Sequence, residues 1–298
     1  MRVLGIDIGG TKIAIGLSDA DGPLLTEHVR METGADPLAT ALAAARDLDG
    51  SPAAVGFSTT GVIRDGRVRL APNVPGWEGL ELPRLLHEAY GSTPVAIDND
   101  VNAAAAAELR WGALRGVTDG IYLNLGTGLA AALIVGGRVI SGAHGAAGEI
   151  GYLLVDPGEP AFDAGRAPLE EQVSGSGLAA RGSAVLGREV TAAELLAHAS
   201  ATTPSGTRGG GLRGQSEAWE VVDDALGTLA MSVANLCVVL DPSCLVVGGG
   251  MMGAAELIIP RLEAELRRAV PFPPEVRAAQ FTDDAPLLGA LALARTAL

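Results

Sequence analysis

The apolar positions of this chain fall into the same order twice. Near the N-terminus, Leu4-Gly5-Ile6-Asp7-Ile8 runs into Gly9-Gly10-Thr11-Lys12 and then Ile13-Ala14-Ile15-Gly16-Leu17. At mid-chain, Leu123-Asn124-Leu125 runs into Gly126-Thr127-Gly128 and then Leu129-Ala130-Ala131. Short apolar runs bounded by glycine read as strands. The pattern predicts strands over 3–8, 12–17, 24–30, 53–58 and 94–97, with helices over 36–48, 82–90 and 101–110. It then restarts, with strands over 120–125, 129–135, 138–141 and 244–247. Helices are expected over 191–199, 217–240, 256–269 and 286–297. Thr191 and Glu194 have the spacing of a capping box, and 217–240 carries an apolar stripe through Val221, Val222, Leu226, Leu229, Val233, Leu236 and Leu240. Residues 202–214, rich in Gly, Ser, Thr and Arg, are expected to form a mobile loop. Asp7 matches Asn124 in the repeat, and Gly9 matches Gly126. The layout is that of an α/β chain with a duplicated mixed sheet. The cleft between the halves is the default ligand site.

Composition narrows this picture. A chain of 298 residues is suited to two lobes. Apolar residues make up 48% and aromatics 3%, so the core is built from Ala, Val, Leu and Ile. The net charge of −14 lacks the basic footprint of a nucleic-acid binder. No apolar run is expected to reach the length of a membrane span, and a cytoplasmic protein is expected. Cys237 and Cys244 read as core thiols rather than a disulfide.

Several positions call for chemistry. Asp7 sits inside an apolar strand, where a carboxylate without a partner is costly. A tight hairpin would explain the glycines at 9 and 10 but not this Asp, and a place near a metal-bound phosphate would. Side-chain-free turns such as Gly9–Lys12 and Gly126–Gly128 let backbone N–H groups approach a phosphate, and Thr11 and Thr127 add hydroxyls. Neither G-x-x-x-x-G-K-[ST] nor G-x-G-x-x-G after the first strand is present. Asp98-Asn99-Asp100 ends a short strand before a helix. One residue suffices as an N-cap, which leaves a carboxylate free to accept a hydroxyl proton. Gly145–Tyr152 reads equally as a Gly-rich loop and as a ligand loop. Pro72–Trp77 reads first as a turn, although Asn73 and Trp77 suit sugar recognition. Gly248-Gly249-Gly250 either lets an adenine or ribose lie against backbone or is a plain strand-to-helix turn. The four histidines have no metal-like spacing; His144, close to Glu149, is the one given a functional reading.

Taken in order, these stretches resemble the ROK family of repressors and sugar kinases, on the side of its bacterial glucokinase-like members. The resemblance rests on Asp7–Lys12, Pro72–Trp77, Asn99-Asp100, Leu125–Gly128, Gly148-Glu149-Ile150-Gly151, Leu169-Glu170, Asp241-Pro242 with Gly248–Gly250, and Leu287–Ala290. It implies the actin-like ATPase fold (ribonuclease H-like), with a small lobe of 1–110 plus 286–298 and a large lobe of 111–285. It also implies Asp100 as the base that takes the proton of the sugar hydroxyl. Asn73, Asn99, Glu149, Tyr152 and Glu170 would be sugar ligands. Asp7, Gly9, Gly10, Thr11, Lys12, Gly126, Thr127, Gly128 and Gly248–Gly250 would hold ATP, with Asp7 near Mg²⁺ through water. The family's histidine after Gly-Glu-Ile-Gly is Tyr152 here, and the cysteines of its zinc loop are replaced by residues 156–168 without a thiol, so no zinc is expected. The family's repressors carry a helix-turn-helix ahead of the first turn; this chain starts at that turn, and no DNA binding is expected. A homodimer is implied.

The expected activity is ATP-dependent phosphorylation of a hexose, glucose at its 6-OH first, with N-acetylmannosamine, mannose and fructose as alternatives and polyphosphate as an alternative donor. A sugar sensor without catalysis and an actin-like ATPase with a protein partner are the readings from other classes.

Overall fold

Val, Ile and Leu at every position but two make β1 (Val3–Ile8) a strand buried on both faces, as a central strand between two layers must be. The computed structural model describes residues 1–19, 21–71, 74, 76–200 and 213–298. The expected Asn73 contact and residues 202–212 of the expected loop lie outside the described residues; 213 and 214 begin a helix.

In chain order, β1 is followed by β2 (Lys12–Ser18), β3 (Glu27–Glu32), α1 (Pro37–Leu48), β4 (Ala54–Thr59), β5 (Val62–Arg64), β6 (Arg67–Arg69), α2 (Leu82–Tyr90), β7 (Val95–Asn99) and α3 (Asp100–Trp111). The second set is β8 (Gly120–Leu125), β9 (Leu129–Val135), β10 (Arg138–Ile140), α4 (Pro168–Val173), α5 (Gly175–Leu186), α6 (Ala192–Ser200), α7 (Arg213–Leu240), β11 (Cys244–Gly248), α8 (Ala255–Ala269), β12 (Glu275–Ala278) and α9 (Ala285–Thr296). The two large sheets have the orders β3-β2-β1-β4-β7 and β10-β9-β8-β11-β12, the same arrangement twice. In the first sheet, β1 pairs antiparallel with β2 and parallel with β4, and β4 runs parallel to β7. In the second, β8 and β11 are parallel, as are β11 and β12.

Contacts divide the chain into two units. Residues 1–117, 132–147 and 279–298 form the first, and 118–131 with 148–278 form the second. The first unit packs Leu4, Ile6, Phe57 and Trp77 on one side of its sheet and Val3, Ala107, Leu288 and Leu291 on the other. Two glycines make the second layer possible. A Cβ on Gly56 would overlap the Ala290 carbonyl, and one on Gly289 would overlap the Ala103 carbonyl. The backbone of α9 therefore lies directly against β4 and α3, and α9 fixes the helix that carries Asp100 at its first position.

The structure departs from the sequence pattern in places. The third strand begins at Glu27, not at 24. The helices α4 and α5 and the strand β12 were not legible. Trp77 is a core residue, 1% exposed, and its indole N–H donates to Thr59 Oγ1 (2.6 Å), so it offers no face to a sugar. One described helix, α7, is long and apolar enough to cross a membrane over Glu217–Leu240, contrary to the expectation from the sequence. More than half of its most apolar window is buried, with Val221, Val222, Leu226, Leu229 and Val233 inward and contacts to α4, α5, α6 and α8. This is the burial of a core helix. Cys237 and Cys244 are buried and unpaired with each other.

Candidate active site

In the first unit three parallel strands end side by side. Asp7, Ser58 and Asp98 stand in one row of the sheet, and Ile8, Thr59 and Asn99 in the next. The chain continues past these strand ends into Gly9, Thr60 and Asp100, the last of them the first residue of α3. The carboxyl ends of parallel strands are where open α/β sheets bind their ligands.

Asp7 is 5% exposed and accepts a hydrogen bond from Ser58 Oγ (2.7 Å). Burial above all, and less strongly the charges of Asp100 and Asp284, push its pKa up to about 7 against the opposing pull of Ser58 and Lys12. The three polar residues at the end of β7 divide their work. Asn99 is the N-cap of α3, its Oδ1 accepting from Asn102 N (2.7 Å). Asp98 Oδ1 accepts from Asn99 N (2.9 Å) and from Asn102 Nδ2 (2.8 Å), and burial raises its pKa. Asp100 accepts from Val101 N through Oδ1 (2.9 Å), and its own backbone N–H also favours the charged carboxylate. Burial raises Asp100 to about 6 against the backbone N–H groups that favour its charge. Asp98 and Asn99 thus hold the helix start through Asn102, and Asp100 takes no part in that brace.

The turn after β1 is closed by Gly9 N donating to Lys12 O (2.9 Å) and by Thr33, which donates through Oγ1 to Gly9 O (2.8 Å) and through N to Thr11 O (3.0 Å). Lys12 Nζ reaches Asp283 O (3.3 Å). None of Gly9, Gly10, Gly126 and Gly128 has a positive φ. A Cβ on Gly9 or Gly126 would find its nearest neighbour at 3.4 Å. The backbone conformation does not demand glycine there. Gly9 and Gly126 spend their own N–H groups inside the turns, on Lys12 O (2.9 Å) and Gly128 O (3.1 Å), and the missing side chains leave room for a phosphate to approach the turn backbone. Gly128 differs, because a Cβ there would meet Glu170 Oε2 at 2.7 Å.

In the second unit the turn Gly126–Gly128 docks on the start of α5. Gly175 N donates to Gly126 O (2.9 Å), and Ser176 donates to Thr127 O through N (3.1 Å) and Oγ (2.8 Å). Ser174 caps this helix through Gly177 N (3.1 Å). Beside the turn is a cavity of about 980 Å³, whose wall runs from Thr127 and Ser176 past Thr191 and Leu196 to Gly250 and Ala254. Its volume lies within the range of small-molecule sites, and its wall is mostly apolar, as a purine requires. Of the expected Gly248–Gly250, only Gly250 lines it. Gly248 ends β11 opposite Asn124, and Gly249, at φ 94°, is pressed against the Leu125 carbonyl.

Glu149, Tyr152 and Glu170 also belong to the second unit and lie within electrostatic reach of one another. Burial first, then the charges of Glu149 and Glu170, raise the Tyr152 phenol. Tyr152 meets Phe162 edge-on, with centroids 5.4 Å apart. Glu170 Oε2 accepts from Leu129 N (2.8 Å), so this carboxylate also braces the second turn. Residues 153–167 are tied by Glu159, which accepts from Asp156 N (2.8 Å) and Val155 N, and by Arg166 donating to Glu171 (2.7 Å). His144 is exposed.

Among the described residues no group of three His, Cys, Asp or Glu side chains could hold a metal. Magnesium usually keeps several waters and takes one or two carboxylates plus substrate phosphates. Asp7, with Asp100 close enough to be felt, fits that donor set. Sequence reasoning missed Ser58 and Ser174-Gly175-Ser176-Gly177. The latter had a readable signal, a Ser cap before a helical run.

A family model described as the ROK family matches residues 3–297. The N-acetylmannosamine kinases of Shigella flexneri and of Escherichia coli O9:H4 (strain HS) are each 35% identical over 305 residues, covering 99% of this chain and 99% of theirs. Among solved structures, the ROK hexokinase from Thermus thermophilus is 32% identical with a TM-score of 0.80, covering 99% of this chain and 98% of that one. The ROK family glucokinase from Streptomyces griseus in complex with glucose and AMPPNP is 28% identical with a TM-score of 0.77, covering 99% of this chain and 100% of that one.

Proposed function

This chain belongs to the ROK family and has its actin-like ATPase fold, and from that premise we propose that it is a sugar kinase in which Asp100 is the general base. The observation that carries this reading is the division of labour at the end of β7. Two of three polar residues brace the start of α3, and the third stands past the strand ends with its pKa raised to about 6. Such a carboxylate is charged at neutral pH yet basic enough to accept a proton as the bond forms.

In the proposed step, the acceptor hydroxyl gives its proton to Asp100. Its oxygen bonds the γ-phosphorus of ATP, the bond from that phosphorus to the β-bridging oxygen breaks, and ADP leaves with the electron pair. The proton later passes from Asp100 to solvent. Catalysis of this kind is mostly positioning and charge stabilisation. The backbone N–H groups around Thr11 and Thr127 would bind the phosphates, with Lys12 adding charge. The cavity beside Gly250 would take adenosine. Magnesium, held at Asp7 through water, would neutralise the phosphate charge. Asn99, Glu149, Tyr152 and Glu170 are assigned to the sugar on the family resemblance, and Asn73 on that resemblance alone.

The curated relatives at 35% identity are named N-acetylmannosamine kinases, which supports N-acetylmannosamine as the acceptor ahead of glucose. The glucose-bound neighbour at 28% identity supports glucose as the second reading. Its AMPPNP, with the purine-sized cavity here, supports ATP as donor.

The test is direct. The wild-type protein is incubated with ATP and each of N-acetylmannosamine, glucose, mannose and fructose, and ADP release and sugar phosphate are measured. Asp100→Asn should lower kcat by about 10²–10⁴-fold while the sugar still raises the melting temperature. Near-normal turnover in that variant removes Asp100 as base. Transfer to none of the sugars, with sugar binding intact, leaves the sensor reading in its place.

A further inference from the structure

One acidic side chain on the large cavity of the second unit has no part in the chemistry described so far. Among the described residues of the cavity wall, Glu256 is the only charged one. The wall hydroxyls of Ser176, Thr191 and Ser200 already donate, to Thr127 O (2.8 Å), Glu194 Oε2 (3.1 Å) and Leu196 O (3.1 Å). Glu256 is exposed, and among the described residues no hydrogen bond or ion pair holds its carboxylate. It lies in the first turn of α8 without capping it. The helix dipole favours a carboxylate there, which explains an acidic residue but not its place on a cavity wall.

The surrounding backbone narrows what this carboxylate can meet. Gly249, pressed against the Leu125 carbonyl, sets the short 3₁₀ turn Gly250–Ala254 beside Gly126. Gly250 and Ala254 share the wall with Thr127 and Ser176, and Glu256 is the next lining residue past that turn. An anion cannot serve the phosphates themselves, because like charges repel. The apolar part of the wall, with Val190, Leu196 and Met251, suits the faces of a purine. Phosphates and purine are joined by a ribose, which presents two adjacent hydroxyls. An ionised carboxylate only accepts, and has two oxygens to do so, so a vicinal diol with two O–H donors is its match.

We propose that Glu256 binds the ribose of the phosphate donor, its carboxylate accepting from the 2′- and 3′-hydroxyls. This rests on the reading of the cavity as the adenosine site. Hydrogen bonds to an ionised group are the stronger kind. Glu256 is thereby the residue that distinguishes a ribonucleoside triphosphate from a donor without the diol.

The test measures binding by calorimetry, with magnesium and without sugar, so that it does not depend on turnover. The wild-type protein should bind ATP about tenfold more tightly than 2′,3′-dideoxy-ATP. Glu256→Ala should bind ATP about tenfold more weakly than wild type and should treat ATP and 2′,3′-dideoxy-ATP alike to within about twofold. Wild-type discrimination retained in Glu256→Ala overturns the proposal, whether or not the melting temperature falls with the lost helix-end charge. If Glu256→Ala does not fold, Glu256→Gln is read by the same criterion, with discrimination reduced. Inosine triphosphate, which lacks the 6-amino group, tests the base edge. If Glu256→Ala loses its preference for ATP over inosine triphosphate and keeps that over 2′,3′-dideoxy-ATP, the carboxylate meets the base and the ribose assignment falls. A wild-type protein that binds no nucleotide removes the adenosine reading of the cavity and this proposal together. One that binds ATP but phosphorylates no sugar removes only the kinase reading, and the comparison of the two nucleotides still decides.

Discussion

Asp100 carries its charge only above about pH 6, because burial disfavours the carboxylate. If it is the base, kcat/KM falls on the acid side with a midpoint near 6 and levels off above 7, and a pH–rate profile reads this. A flat profile from pH 5 to 8 removes the base from this position. The same shift has a sign for stability. The folded pKa of about 6 lies above the ordinary 3.8, so the folded chain binds the proton more tightly. The stabilisation is fully present below about pH 4 and is lost as pH rises through 6. Asp100→Asn should therefore leave the ligand-free protein more stable than wild type at pH 8, by up to about 3 kcal/mol for a two-unit shift, and little changed at pH 4. Denaturant titration at both pH values checks this; a variant less stable at pH 8 contradicts it. How far the sequence reaches is plain at Asp98-Asn99-Asp100. Three polar residues at a strand end were legible as two more than one N-cap needs. Which of them stays free depends on Asn102 reaching back from the first turn of α3, a contact that spacing does not reveal; only the family resemblance pointed to Asp100. Trp77 shows the converse, since its single donor is satisfied by Thr59 inside the core, and a residue suited to sugar stacking is spent on packing.

At the scale of elements, the strands were readable because their apolar runs are bounded by turn residues, and α7 because its stripe keeps helical period. The helices α4 and α5 were not. The start of α5 is Gly-Ser-Gly after a Ser cap, a poor helix former by propensity, and it is held by docking on the turn Gly126–Gly128. That docking needs a bare backbone, because a Cβ on Gly175 would lie 2.8 Å from Gly126 O. Gly175→Ala should displace the second turn and raise KM for ATP several-fold while the sugar-induced thermal shift stays near wild type; an unchanged KM for ATP would separate the turn from the nucleotide. The glycine contacts of α9 are less forgiving. Gly56→Ala or Gly289→Ala places a methyl on a helix carbonyl or a helix against one, with no flexible side chain to yield. Each should cost about 3 kcal/mol or more, at the upper end of overpacking, and should lower activity with it, since α9 holds the helix that carries Asp100. A loss under 1 kcal/mol in a denaturant titration would show that α9 shifts freely.

At the scale of the whole molecule, one strand order is used twice, and the copies have diverged in chemistry. The first keeps Asp7 and Asp100 at its strand ends; the second has Asn124 in place of Asp7 and opens a cavity instead. The repeat was visible in the sequence because strand ends and turns keep their glycines while the loops between them drift. Residues 153–167 hold none of the cysteines that the family resemblance associates with this stretch. Here Glu159 gathers two backbone N–H groups, Arg166 pairs with Glu171, and Phe162 meets Tyr152 edge-on. Structural zinc contributes folding energy outright and its removal unfolds the segment it holds. If carboxylate and aromatic contacts have taken over that task, the purified protein contains less than about a tenth of a zinc ion per chain. Treatment with a zinc chelator, followed by restored magnesium, then leaves both melting temperature and turnover unchanged. Phe162→Ala should instead loosen Tyr152 and raise the sugar KM with little change in kcat. One zinc per chain by elemental analysis, with a fall in melting temperature when it is removed, would mean that ligands outside this stretch hold a metal after all, and the edge-on pair would lose its assigned role.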